Sequence, residues 1–107
     1  MELDAIVTEL KQWASSRSAI RRLWIYGSRA RGNARPNSDL DVALELVVAL
    51  PHETSTDVWF ENIDDWRSDL SGRFPFPVQL ELLEGATTPT IQSGTARDGV
   101  LVYKTAA

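Results

Sequence analysis

The 107-residue sequence contains no cysteine and a single histidine, His52. These absences exclude a disulfide scaffold, a thiolate metal site, a thiol nucleophile and a histidine-rich zinc centre. The sequence also has no apolar run near the roughly 20 residues of a membrane span, and its N-terminus lacks the basic-then-apolar order of a signal peptide. We expect a cytoplasmic protein that does not enter a membrane and that binds any metal through oxygen ligands.

Charge is unevenly distributed along the chain. Residues 1–38 carry a net charge of +4 and residues 39–107 carry −8, which leaves −4 in total. Six of the eleven basic residues are arginines between Arg17 and Arg35, and such a local density suits phosphate groups. The acidic total argues against a broad nucleic-acid surface, so the arginines favour a small phosphate-bearing ligand.

The apolar content of 43% is enough for one hydrophobic core, and we expect a single domain over residues 1–107. Hydrophobic periodicity predicts the order helix, strand, strand, helix, strand, short helix, strand. This order indicates an α/β (α+β) domain with a small mixed sheet and helices packed largely on one face. The expected landmarks are a first helix ending near Ser16, strands at Leu23–Tyr26, from Asp39, at 76–84 and at 100–103, a helix capped within Ser55–Asp57 and ended by Ser71–Gly72, and a short helix capped by Thr88–Pro89.

A glycine turn follows the first predicted strand. Gly27 lets a ligand approach the backbone closely, and the helical turn that starts at Ser28 offers unpaired amides. The Ser28 hydroxyl adds a further donor at the same point. We therefore predict phosphate binding at Gly27 and Ser28. Among the nearby arginines, Arg29 ranks above Arg31 and Arg35 as a phosphate contact because it is nearest to the turn.

Two aspartates follow twelve and fourteen residues after Gly27. From Asp39 onward polar and apolar residues alternate, so Asp39 and Asp41 share one face of a strand with Cβ atoms roughly 6.6–7 Å apart. Both carboxylates can then reach one divalent metal ion, or a pair of ions. We predict a metal site at Asp39 and Asp41.

The combination of Gly27–Ser28 with Asp39 and Asp41 on a β-strand resembles the signature of nucleotidyltransferases related to DNA polymerase beta. The short chain resembles their minimal, single-domain branch. The resemblance implies that Gly27 and Ser28 hold the terminal phosphates of ATP. It also implies that Asp39 and Asp41 bind Mg²⁺ or Mn²⁺, and that a third carboxylate on a later strand completes the catalytic and metal-binding set.

The third carboxylate is the point where the sequence departs from the family pattern. The expected acidic position is occupied by Gln79, and Glu81 follows two residues later on the same strand face. A neutral amide cannot accept a proton from the attacking hydroxyl. Glu81 is the first candidate for this role as catalytic residue and metal ligand, and Glu45 is an alternative. The third alternative is that the chain lacks this acid and is a weakened or inactive enzyme.

The resemblance implies transfer of AMP from ATP to a hydroxyl acceptor, with release of pyrophosphate. Minimal members of the family often accompany a small helical partner of the HEPN type, which acts as a toxin. The first hypothesis is thus an antitoxin enzyme that adenylylates its partner, on a tyrosine hydroxyl. The alternatives are a binding module that neutralises the partner by complex formation, and an enzyme that modifies a small molecule of the antibiotic kind.

Overall fold

The computed structural model describes residues 1–105. Its helices and strands follow the predicted order. They are α1 (Leu3–Ser15), β1 (Ile20–Tyr26), α2 (Ser28–Arg31), β2 (Leu40–Leu46), α3 (Ser55–Ser71), β3 (Val78–Leu82), a 3-10 turn (Gly85–Thr87), α4 (Pro89–Asp98) and β4 (Val100–Lys104). No helix in this described part is both long enough and apolar enough to cross a membrane.

The four strands form one mixed sheet in the order β3-β2-β1-β4. β1 pairs antiparallel with β2 and with β4, whereas β2 and β3 are parallel. The parallel pair is connected by α3, because parallel neighbours need a long crossover. β3 and β4 are the two edge strands. The predicted small mixed sheet is therefore confirmed.

The hydrophobic core lies between one face of the sheet and the helices α1 and α3. Each helix contributes an apolar stripe that is at least 94% buried, and alternate residues of the three strands β1, β2 and β3 face it. The central members are Ile6, Leu10, Trp13, Ile63, Trp66 and Leu70 from the helices, and Leu23, Ile25, Val42, Leu44 and Leu80 from the sheet. The prediction that helices pack largely on one face is confirmed for these two long helices.

α4 packs on the other face of the sheet. Gly94 of α4 lies so close to Tyr26 of β1 that a Cβ atom there would be 3.1 Å from the tyrosine ring. Thr95, the next residue, is also buried. α4 thus covers part of the face on which the aspartates lie.

The start of α3 differs from the sequence-based expectation. The N-cap is Thr54, one residue before the predicted segment Ser55–Asp57. The Thr54 hydroxyl accepts a hydrogen bond from the Asp57 amide at 3.2 Å, and the Asp57 carboxylate accepts one from the Thr54 amide at 2.9 Å. This capping box satisfies two amides at once, which explains why Thr54 is preferred over Ser55 as the cap. The end of α3 at Ser71, before Gly72, agrees with the prediction.

Candidate functional site

Asp39 and Asp41 lie at the beginning of β2 on the sheet face opposite the main core. Leu40 and Val42 are completely buried, whereas Asp39 is exposed and Asp41 is half-buried. The predicted sharing of one face by the two carboxylates follows from this alternation. Burial raises the pKa of Asp41, the charge of Asp39 raises it further, and Arg31 lowers it only in part. The pair therefore concentrates negative charge at the sheet surface, where a cation would be stabilised.

Gly27 ends β1 directly beside Asp41. Its backbone has φ 76° and ψ −156°, a region that is essentially restricted to glycine. A Cβ atom on Gly27 would collide with Oδ2 of Asp41 and would lie 3.2 Å from its Cγ. The sequence predicts that Gly27 leaves room for a phosphate. The structure shows that Gly27 also leaves room for the carboxylate of Asp41.

Ser28 begins the single turn of α2, as predicted. The Arg31 amide donates to the Gly27 carbonyl at 3.1 Å and the Asn33 amide to the Ser28 carbonyl at 3.1 Å. Amides in the first turn of a helix have no intrahelical acceptor, so those of Ser28, Arg29 and Ala30 are available to a ligand. They lie at the same end of the sheet as Asp41. Phosphate binding at Gly27 and Ser28 remains a prediction.

The expected phosphate contact of Arg29 is corrected by the structure. Arg29 is only 9% exposed, and its guanidinium lies 3.6 Å from the centroid of the Phe76 ring. It donates hydrogen bonds to the carbonyls of Ser38 at 2.8 Å and Pro36 at 3.1 Å. Arg29 therefore holds the loop that leads into Asp39 instead of facing a ligand. The sequence could not indicate this role, because the contacts join residues that are distant along the chain.

Arg31 is the arginine whose charge acts on Asp41. Its guanidinium donates to Asp98 at the end of α4 at 2.8 Å, and its charge lowers the pKa of Asp41. Hydrogen bonds from Arg97 and Arg31 lower the pKa of Asp98 itself. Arg31 thus links α2 to α4 and adds positive charge near Asp41. Phosphate contact by Arg31 remains a prediction.

The two candidates for the third acidic position lie on β3, at different distances from the pair. Gln79 is the direct neighbour of Asp41 in the parallel register, and Glu81 is the neighbour of Ala43. The Glu81 charge nevertheless raises the pKa of Asp41. Within residues 1–105 no three acids are grouped closely enough to hold a metal ion. The metal set of Asp39, Asp41 and Glu81, and a catalytic role for Glu81, therefore remain predictions.

Glu45 lies further from the acidic pair. It occupies the strand position after Leu44 and pairs with Arg22 of the adjacent strand at 3.4 Å. This ion pair gives Glu45 a structural partner away from the aspartates. Glu81 is thus better placed than Glu45 to act with Asp41.

Tyr26 is a site residue that the sequence analysis missed. It is the cross-strand neighbour of Asp41 and lies partly buried beneath Gly94 of α4. Burial, with added repulsion from Asp41 and Glu81, raises the pKa of Tyr26 to about 12. Its phenol is therefore neutral near pH 7. The available signal was its position immediately before Gly27, one strand residue from the turn.

These features occur together in a known family. A sequence profile described as "Polymerase beta, Nucleotidyltransferase" matches residues 8–107. The chain belongs to this nucleotidyltransferase family. The resemblance noted from Gly27, Ser28, Asp39 and Asp41 is thereby confirmed, as is the expected nucleotidyltransferase fold. No curated protein sequence matches the chain.

Solved structures of low sequence identity share the fold. A toxin-antitoxin crystal structure with AMP-PNP has a TM-score of 0.58 and 20% identity, over 97% of this chain and 75% of that one. A variant of the MntA-HpeT toxin-antitoxin has a TM-score of 0.62 and 20% identity, over 99% and 75% of the two chains. A candidate nucleotidyltransferase from Sulfolobus solfataricus has a TM-score of 0.50 and 22% identity, over 92% and 75%. At these identities the likeness establishes the fold alone.

Proposed function

We propose that this nucleotidyltransferase moves AMP from ATP to a hydroxyl group of a partner protein and releases pyrophosphate. The reaction depends on Mg²⁺ or Mn²⁺. The partner is a toxin of the HEPN type, and the chain acts as its antitoxin. A cytoplasmic location and a single minimal domain over residues 1–107 belong to the same proposal.

The observation that carries the proposal is the contact between the two halves of the motif. The carboxylate of Asp41 lies against Gly27, at the point where the first turn of α2 begins. A triphosphate bound at this turn would have its charged oxygens beside the two aspartates. That arrangement requires a cation between phosphate and carboxylates, because the like charges would otherwise repel one another.

The residues present fit a magnesium or manganese ion. Asp39 and Asp41 offer oxygen ligands, and Mg²⁺ is commonly held by one or two carboxylates together with phosphate oxygens and water. The charge of Asp39 adds to the raised pKa of Asp41. The positive charge of the nearby protein groups therefore does not fully balance the two carboxylates. When bound, the ion would neutralise charge on the α-phosphate and on the leaving pyrophosphate.

The protein groups have distinct roles in this proposal. The Ser28 hydroxyl and the amides of the first turn of α2 bind the terminal phosphates. Glu81 accepts the proton of the attacking hydroxyl, and this step requires the acceptor to approach from β3. Arg31 supplies positive charge near Asp41. Arg29 is a positioning residue, because it fixes the carbonyl of Ser38 next to Asp39.

The comparisons support a nucleotide and a protein partner. One structure of similar fold is described as a toxin-antitoxin with AMP-PNP, and another as a MntA-HpeT toxin-antitoxin. Our proposal extends both properties to this chain, with ATP as the nucleotide and a tyrosine hydroxyl of the toxin as the acceptor.

A second function is favoured by one specific observation. The strand position directly beside Asp41 holds Gln79, which is neutral and exposed. If Glu81 does not replace the missing acid, the chain binds nucleotide and neutralises its partner by complex formation alone. The two functions differ in whether AMP becomes covalently attached to the partner.

Calorimetry and mass spectrometry test the proposal. The wild type should bind ATP in the presence of Mg²⁺. The Asp39→Asn/Asp41→Asn variant should show no measurable ATP binding under the same conditions. Asp65→Asn, which removes an exposed acid of α3, is the charge control. A HEPN-type toxin that forms a complex with this chain should gain the mass of AMP after incubation with Mg²⁺ and ATP. Equal ATP affinity in the double variant and the wild type would refute the proposed site.

A further inference from the structure

Phe60 is the most exposed large apolar side chain in the part of the chain that the structure describes, at 72%. It lies on α3, and the buried stripe of that helix, which includes Val58 and Ile63, does not use it. Leu50, in the loop between β2 and α3, is 64% exposed. Single apolar residues are common on protein surfaces, but large ones that share a groove indicate a contact with another molecule.

Phe60 and Leu50 line the same groove, which has a volume of about 640 Å³. It lies between loop residues 50–53 and the first two turns of α3. The loop follows Leu46, the last residue of β2, and Leu46 is about 17 Å along that strand from Asp41. The groove is therefore at the opposite end of β2 from the acidic pair, and it is a separate site.

Three acidic side chains line the groove beside these apolar residues. They are Glu53, which is partly exposed, and Asp57 and Glu61, which are exposed. The Asp57 carboxylate accepts the Thr54 amide at 2.9 Å in the capping box of α3. None of the three acids forms an ion pair with the residues that the structure describes, and the groove lining includes no lysine or arginine. The groove therefore favours a molecule that brings positive charge next to an apolar group.

The walls of the groove decide which form of partner fits. A loop and a helix line it, so it offers no strand edge with which an extended peptide could pair. A helix satisfies its own backbone hydrogen bonds and can insert one apolar face. A second copy bound through the same face would place three acids against three acids, and like charges repel. The same negative charge disfavours nucleic acid.

We propose that this groove docks a basic amphipathic helix of a partner protein. A large apolar side chain of that helix packs against Phe60 and Leu50, and its lysines or arginines lie beside the three acids. A cationic side chain next to Phe60 is also attracted to the face of the ring. The site goes beyond the proposed nucleotidyl transfer, because docking requires neither nucleotide nor metal. Since the groove is separate from the acidic pair, a partner and ATP can be bound at the same time.

Two synthetic amphipathic helices of equal length test the charge preference. One has leucine on one face and lysine on the other, and the second has glutamate in place of lysine. Fluorescence anisotropy of the dye-labelled peptides, titrated with the full chain, gives the Kd. We expect the leucine–lysine peptide to bind about tenfold or more tightly than the leucine–glutamate peptide, because only the former complements the acids. Its affinity should fall as salt is added.

The apolar contact is tested by Leu50→Ser/Phe60→Ser. This variant should bind the leucine–lysine peptide about tenfold more weakly than the wild type, because the inserted side chain loses its apolar surroundings. Leu101→Ser is the matched control, since Leu101 is an exposed leucine of β4 that lies outside the groove. The control should bind the peptide as the wild type does.

The charge contact is tested by Glu53→Gln/Glu61→Gln. This variant should bind the leucine–lysine peptide about fivefold more weakly and with a smaller dependence on salt. Asp64→Asn/Asp65→Asn removes the same number of charges from exposed positions of α3 outside the groove. It should change the affinity by less than about twofold.

Asp39→Asn/Asp41→Asn separates the groove from the proposed active site, and it should bind the peptide like the wild type. Loss of binding in that variant would overturn the proposal, because the lysines would then be bound by the acidic pair. No binding by the wild type, or equal affinities in wild type and Leu50→Ser/Phe60→Ser, would also overturn it. Wild-type dimers in sedimentation velocity that dissociate in Leu50→Ser/Phe60→Ser would assign the groove to a second copy instead. Intact peptide binding without ATP binding would contradict only the proposed function.

Discussion

The carboxylate of Asp41 packs against the Cα atom of Gly27, in the space that any other residue would fill with its side chain. The two residues belong to the adjacent strands β1 and β2, and Asp41 pairs with Tyr26, the residue before Gly27. The glycine turn and the acidic pair are therefore one steric unit. Changing the glycine should alter the acid as well as the turn.

Gly27→Ala should abolish detectable Mg²⁺-dependent ATP binding. Its Cβ would displace Oδ2 of Asp41, and φ 76° with ψ −156° would add strain on the order of 1–3 kcal/mol. Calorimetry with ATP and Mg²⁺ gives the affinity, and thermal unfolding reports the strain separately.

Gly32→Ala is the control for backbone strain. Gly32 also has a positive φ of 78°, but a Cβ atom there would meet nothing within 4 Å. This variant should lose about 1 kcal/mol of unfolding free energy and should bind Mg²⁺-ATP normally. If both variants bound nucleotide equally well, the steric contact between Gly27 and Asp41 would not be needed for nucleotide binding.

Arg29→Lys should destabilise the fold by roughly 2–3 kcal/mol, in proportion to the charged hydrogen bonds that it loses. A lysine cannot keep the planar contact with Phe76 and also reach the carbonyls of Pro36 and Ser38. Urea unfolding measures the change, with Arg35→Lys in the exposed part of the same loop as the control. An unchanged unfolding free energy in Arg29→Lys would restore the original expectation of a ligand contact.

The acidic pair and the glycine turn were predictable because they depend on local patterns. Strand alternation alone puts Asp39 and Asp41 on one face, and a glycine after a strand alone indicates a turn. The order of helices and strands followed from hydrophobic periodicity in the same way. These features need no knowledge of which elements are neighbours.

The roles of Arg29 and Gly27 depended on tertiary neighbours and were not predictable. Arg29 contacts Phe76, which is 47 residues away along the chain. The two residues are neighbours because β3, which follows Phe76, packs beside β2. The collision at Gly27 requires the register of β1 with β2. The sequence around an arginine next to a phosphate-binding turn does not distinguish an arginine that contacts the ligand from one that holds a loop.

Asp69 provides a pH-dependent contribution to stability. Partial burial acts to raise its pKa, but the hydrogen bond from Trp13 and the charges of Arg73 and Arg17 together lower it below the ordinary value. A lowered folded-state pKa stabilises the protein above the unfolded value of about 4, and this stabilisation is lost as the pH falls through the folded value. Solvent screens part of the effect, since the Asp69 side chain is 35% exposed.

Asp69→Asn should therefore lower the unfolding free energy by roughly 1–2 kcal/mol at pH 7. The difference from wild type should shrink as the pH falls from about 4 through the lowered folded-state pKa, because below that value both proteins carry a neutral side chain at this position. Urea unfolding across this pH range measures it. Asp65→Asn, on an exposed face of α3, should change stability by less than about 0.5 kcal/mol at any pH. A pH-independent deficit in Asp69→Asn would mean that packing rather than charge is responsible.

Glu81 decides between the enzyme and the binding module. Its carboxylate lies near enough to Asp41 to raise the pKa of that residue, yet its strand position is one pair beyond that of Gln79. If Glu81 accepts the proton, Glu81→Gln should reduce AMP transfer on the order of 10²-fold, the usual scale for a general base. Mg²⁺-dependent ATP binding through Asp39 and Asp41 should largely persist. Transfer rates come from mass spectrometry of the partner, and ATP affinity from calorimetry.

Gln79→Asp completes this test, because residue 79 is the direct strand neighbour of Asp41. The substitution places an acid at the position where the family resemblance predicts one, so transfer should be unchanged or increased. In the Glu81→Gln background it should recover part of the lost activity, since either acid can receive the proton. A wild type without activity that gains transfer only with Gln79→Asp would identify the natural chain as the binding module. Full activity in Glu81→Gln would instead exclude Glu81 as the base and return that role to Glu45 or to a group of the acceptor.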